Sequence, residues 1–210
     1  MLFDEQGKFK IQQLFSYPND EYQKLKKEAL KCHRCQLRDG ANGVVMGEGN
    51  INNQIMLIGE GPGANEDRLG RPFVGRAGKL MDKILKSVNL KREDLYITNI
   101  IKCRPPGNRV PHQNEFEACV SILRAEIEII QPKVIVTLGS TATKYLIDPQ
   151  KSITKVRGKW FQRGDIYFLP TFHPAYLLRN EKMKKHSWHD FKLIKKAADR
   201  IKELSSSGEL

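Results

Sequence analysis

Four short, largely apolar runs punctuate the chain: Ile55 to Ile58, Leu95 to Ile100, Val134 to Leu138 and Ile166 to Leu169. Each is too short for a helix, and consecutive apolar residues mark a strand covered on both faces. Between these runs, apolar residues return at helical spacing. From Ala77 onward Leu80, Met81, Ile84, Leu85 and Val88 share one face, and further helices are predicted from about Asn114 to Ile130 and from near Thr141. Asn19 or Asp20 can cap an earlier helix through about Leu30, with Tyr22, Leu25, Ala29 and Leu30 inward. A basic amphipathic helix is predicted from about Ser187 to Leu204. Strands that alternate with helices predict the α/β class. The architecture expected is a three-layer α/β/α sandwich around a central four-stranded parallel sheet.

A chain of 210 residues suits one such core. The organisation expected is a single domain over 19–204, a mobile N-terminal arm over 1–18 and a disordered tail, SSSGEL, over 205–210. No apolar run approaches the roughly 20 residues that a membrane helix needs. The opening MLFDEQGKFK lacks the apolar centre of a secretory leader, so an intracellular, cytoplasmic monomer is expected. Charge changes the picture more. The formal net charge is +12, and between Lys151 and Lys202 there are 14 Lys and Arg against 4 Asp and Glu, a net of +10. Such an excess gathers polyanions, nucleic acid first among them; a solvated lysine face, as in heat-stable proteins, is the alternative.

The candidate chemistry lies where the strands end. The first is followed by Gly59-Glu60-Gly61-Pro62-Gly63, a turn too rich in glycine to continue a strand or helix. No Gly-Lys-Ser/Thr follows it, and its glycines lack dinucleotide spacing. A polar loop, Asn65 to Arg68, and Phe73 between Pro72 and Val74 come next. Asn99 closes the second strand, Gly139 the third, and His173-Pro174 follows the fourth. Singly, Asn99 reads equally well as a turn cap, His173 as a loop histidine and Phe73 as core. Converging on the carboxyl edge of one sheet, they read as a binding site.

All four cysteines also form a plausible set. Cys32-x2-Cys35 is a two-thiolate grip, and Cys103 and Cys119 follow with 15 residues between them. Zinc and a [4Fe–4S] cluster both accept four thiolates. The missing second short knuckle leans toward the cluster, and a cytosolic location argues against disulfides.

Three segments, GEGPGANEDRLGRPFVGRAG, TNIIKCRPPGNR and TFHPAYLLRN, together with all four cysteines, resemble the motifs of the iron–sulfur, family 4 uracil-DNA glycosylases. The resemblance spans about Glu21 to Arg200. It implies hydrolysis of the N-glycosidic bond between uracil and deoxyribose in double- or single-stranded DNA, leaving an abasic site for base excision repair. The base would be flipped into a pocket formed by Glu60, Gly61, Gly63, Glu66, Phe73, Asn99 and His173. Phe73 would stack on uracil. Asn99 would accept from N3–H and donate to O4, a pattern that cytosine reverses. Glu66 would exclude the thymine methyl. His173 would stabilise charge at O2 and, with Glu60 near the water, form the catalytic pair. Leu177, Leu178 and Arg179 would enter the minor groove, and Lys184 and Lys185 would meet phosphates. The resemblance also implies that Cys32, Cys35, Cys103 and Cys119 hold the [4Fe–4S] cluster.

Two other functions compete with this one. One is a non-catalytic DNA-binding or redox-sensing module of the same fold. The other is a variant that traps uracil covalently through a histidine in an inserted basic loop. Arg104 to Arg109 carries no such insertion, although His112 lies nearby.

Overall fold

A computed structural model describes residues 18–208; the expected arm lies outside them except for Pro18, which opens the first helix, Pro18–Ala29. Six strands form one sheet: β1 (Glu48–Gly49), β2 (Ile55–Gly59), β3 (Tyr96–Asn99), β4 (Val134–Leu138), β5 (Phe161–Arg163) and β6 (Ile166–Thr171), in the order β1-β3-β2-β4-β6-β5. The four central strands, β3, β2, β4 and β6, are mutually parallel, as the apolar runs predict. The four-strand count is corrected by β1 and β5, which add antiparallel edges. Two- and three-residue edge strands bury too little to show a period in the sequence.

The sheet is covered on both faces, as expected. Met56 and Ile58 point into one core with Tyr22, Leu123 and Ile127, from the Pro18–Ala29 and Gln113–Ile130 helices. Ile55 and Leu57 point into the other, against Met81 and Leu85 of the Arg76–Ser87 helix and Phe191 and Ile194 of the last helix. This alternation is the strand's twofold period, with an apolar partner waiting on each side.

Several predicted boundaries shift. The expected polar loop Asn65 to Arg68 is a short helix, Ala64–Leu69. Leu30, expected inward, lies just past its helix and is 49% exposed. The last helix runs Lys184–Ser207 and ends at Gly208 in the left-handed conformation (φ 73°). Ser205, Ser206 and Ser207 thus belong to it, their hydroxyls bonded to carbonyls one turn back, rather than to a disordered tail. No helix among the described residues is long and apolar enough to cross a membrane.

Candidate active site and cysteine cavity

The carboxyl ends of β2, β3 and β6 open onto a cleft of about 410 Å³ lined by Glu60, Gly61, Gly63, Glu66, Phe73, Asn99 and His173. The seven residues singled out from the sequence are therefore brought together. Gly59 makes the closeness possible: a Cβ there would fall 2.5 Å from both Asn99 Oδ1 and the tip of Phe73. Asn99 is 2% exposed, yet its Oδ1 has no hydrogen-bond partner. A buried carbonyl oxygen without a donor costs about 1–3 kcal/mol unless a ligand supplies one.

Phe73 faces His173 with ring centroids 5.7 Å apart and planes tilted by 34°. Its backbone sits at φ 53°, in the left-handed region that a non-glycine residue rarely adopts. Glu66 holds the following turn, its Oε1 accepting from Val74 N (2.9 Å) and Gly75 N (2.7 Å). Gly63 leaves room for the other oxygen, since a Cβ there would come within 2.8 Å of Oε2. Glu66 is thus a bracket for the Phe73 loop as well as a wall of the cleft.

His173 caps the Pro174–Arg179 helix, its Nδ1 accepting from Ala175 N at 3.1 Å. That bond fixes the tautomer: in the neutral ring Nε2 carries the hydrogen and is left to donate. Burial, with the Arg179 charge adding to it, lowers the imidazole pKa to about 4, so the ring is neutral at physiological pH. Across the cleft Glu60 Oε2 accepts from the Thr141 hydroxyl at 2.5 Å. An aromatic platform, an amide lacking a partner and a neutral histidine donor suit a flat heterocycle with alternating polar edges.

A sequence profile of the uracil DNA glycosylase superfamily matches residues 46–194, which hold every cleft residue named above. The chain belongs to the uracil-DNA glycosylase superfamily. It is 50% identical over 169 residues to a type-4 uracil-DNA glycosylase of Thermotoga maritima, covering 78% of this chain and 87% of the relative. It is 45% identical over 188 residues to the type-4 enzyme of Sulfurisphaera tokodaii, covering 85% and 86%. With the type-4 enzyme of Saccharolobus solfataricus the figure is 44% over 179 residues, covering 81% and 83%.

Behind the cleft of this glycosylase fold lies a buried polar network that the motifs do not announce. Lys102 Nζ donates to Glu126 Oε2 (2.5 Å), Thr98 Oγ1 (2.7 Å) and the Asn99 carbonyl (2.8 Å). Glu126 also accepts from the Tyr96 hydroxyl (2.8 Å) and Gly47 N (3.1 Å). Neither charged side chain is more than 1% exposed. The signal was present in the sequence: helical spacing from Ile122, Leu123 and Ile127 puts Glu126 on the inward face, where an acid requires a buried partner.

The same segment leads to the cysteines. Cys32, Cys35, Cys103 and Cys119 line one cavity with Arg34 and Arg38. Lys102 N lies 3.3 Å from Cys119 Sγ, and Arg34 Nε 3.3 Å from Cys32 Sγ. Burial, reinforced by Cys119 and Cys35, pushes the Cys103 thiol up to about 12; burial likewise pushes Cys119 to about 11. Among the described residues no three ligand-type side chains converge as a single-ion site.

The expected DNA-facing residues divide. Leu177 is 0% exposed and packs in the core with Met81 and Phe191, which corrects its reading as a groove-entering side chain. Leu178 is half-buried and Arg179 exposed, while Tyr176, missed from the sequence, joins Arg179 in lining the cleft. Lys184 and Lys185 open the last helix, three residues earlier than predicted, with Lys184 paired to Glu181 at 2.6 Å.

Proposed function

We propose that this protein removes uracil from double- and single-stranded DNA by hydrolysing its N-glycosidic bond. The observation that carries the reading is the buried, unpartnered Asn99 Oδ1 in the cleft that Phe73 and His173 also line. Flipped uracil supplies the missing donor through N3–H, while Nδ2 of Asn99 donates to O4. Phe73 stacks on the base, and His173 Nε2–H meets O2, where negative charge gathers as the bond to C1′ breaks. Water adds to C1′ and gives up a proton to solvent, and uracil leaves as an anion that takes up a proton from solvent afterwards. In this reading Glu60, whose Oε2 accepts from the Thr141 hydroxyl, holds that water. Asn99→Asp should weaken uracil excision and admit cytosine, because a protonated acid can donate to N3 while its second oxygen accepts from N4–H. Unchanged excision by Asn99→Ala would remove Asn99 from the pocket's chemistry.

The residues around the cysteine cavity fit a four-thiolate [4Fe–4S] cluster, which we propose over zinc. Four sulfurs line one cavity, two of them near N–H donors, and burial makes free thiolates costly unless metal ligation stabilises them. We assign the ligands as Cys32, Cys35, Cys103 and Cys119, with a structural role. Protein purified without chelators should be brown, with broad absorbance near ~400 nm. A colourless protein holding one zinc would contradict the assignment. Cys103→Ala should lower thermal stability more than base selectivity.

Lys184 and Lys185 occupy a helix's first turn, where the dipole is already positive. Among the described residues only Lys184 of the two has an anionic neighbour, the exposed Glu181 carboxylate, which a phosphate can replace. Neutralising both should weaken binding to uracil-containing and ordinary duplexes alike. The salt dependence should flatten by about one unit of slope per lost phosphate contact. A loss confined to uracil-containing DNA would contradict the phosphate assignment.

A further inference from the structure

Phe73 holds an unfavourable backbone conformation, and such a conformation persists only where its surroundings over-determine it. Glu66 secures the N–H groups that follow. The carbonyls on the other side go to a residue outside every motif. Arg92 donates from one terminal nitrogen to the Phe73 carbonyl at 3.1 Å and from the other to the Pro72 carbonyl. The guanidinium is aimed by carboxylates: Glu48 Oε1 accepts from its Nε (3.0 Å) and Nη2 (2.7 Å), and Asp82 Oδ1 from Nη1 (3.2 Å). Arg71 braces Glu48 from its far side at 2.8 Å. Gly78 completes the seat, since a Cβ there would fall 1.7 Å from the Phe73 carbonyl oxygen.

We propose that Arg92 is a positioning residue for uracil recognition, fixing through the Pro72 and Phe73 carbonyls the height and tilt of the Phe73 ring. The inference rests on the reading of Phe73 as the stacking platform. A planar fork with five donors can serve two carbonyls and two carboxylates at once, which a lysine ammonium cannot. It also gives the edge strand β1 a purpose: the strand delivers Glu48 to the guanidinium. Held this way, the ring is set before the base arrives, so less ordering remains for the binding step.

The test is a double-mutant cycle of Arg92→Gln and Phe73→Ala, read as kcat/KM on uracil-containing DNA and as inhibition by free uracil. Phe73→Ala alone should lower kcat/KM roughly 10–100-fold, the range for loss of one base–aromatic stack. Arg92→Gln should lower it roughly tenfold and weaken free uracil inhibition similarly, yet add less than about twofold once Phe73 is gone. Arg92→Lys should recover little. Affinity for uracil-free DNA and its salt slope should stay at wild-type values.

Additive effects in the cycle would overturn the proposal, since Arg92 would then act elsewhere. A flattened salt slope would make Arg92 a phosphate contact. Normal free uracil inhibition in Arg92→Gln would also overturn it. If Phe73→Ala itself leaves excision unchanged, the platform reading fails first, whatever Arg92 does.

Discussion

Replacing His173 with alanine should lower turnover on uracil-containing DNA roughly 10²–10³-fold while leaving DNA affinity nearly intact. The expectation follows from where its hydrogen sits. Ala175 N occupies Nδ1, so Nε2 carries the ring's hydrogen and can donate without any need for a second proton. With the imidazole pKa lowered to about 4, the excision profile should show no histidine inflection near ~6.5. Imidazole NMR should find the His173 titration near pH 4 instead. The sign for stability follows: between about 4 and ~6.5 the unfolded chain binds a proton here that the folded chain does not. Stability from this group therefore rises with pH across that window and is flat above it. A His173 titration near ~6.5, or lost DNA binding with normal turnover of bound substrate, would contradict the assignment.

Lys102→Met should cost about 3–5 kcal/mol, because it leaves the Glu126 carboxylate buried without its cation. In a protein of this size that is a fall of roughly 2–4 °C in Tm per kcal/mol. Adding Glu126→Leu should restore only part of the loss, since it removes the stranded charge but leaves the Gly47 N–H buried without its acceptor. The site should register the damage too. Lys102 holds the Asn99 carbonyl through its side chain, and its backbone lies against Cys119. Lys102→Met should therefore lower excision and loosen retention of the proposed cluster together. Wild-type melting in Lys102→Met would show that the network contributes little.

The sequence carried the central strands because both of their faces are buried. Val134 to Leu138 is apolar almost throughout, and the strand has those bounds. Glu60, Gly61, Gly63, Asn99 and His173 were legible for a related reason: they sit at or just past strand ends, and the parallel topology gathers such ends on one edge. What stayed hidden depends on contacts between distant segments. Arg92 meets Glu48, Pro72 and Phe73, and no local pattern links those positions. Leu177 and Leu178 differ only by their turn within a six-residue helix, too short for a period to tell which one faces the core. The Glu66 bracket was half legible: its place in the cleft followed from the motif, its grip on Val74 and Gly75 from folding alone.

The most direct test is incubation of the purified protein with a duplex oligonucleotide carrying one uracil, followed by alkali and by denaturing electrophoresis. The account predicts many turnovers, each releasing free uracil and leaving an alkali-labile abasic site, with no protein attached to the DNA. A complex that survives denaturation, or binding without release of uracil, would contradict it.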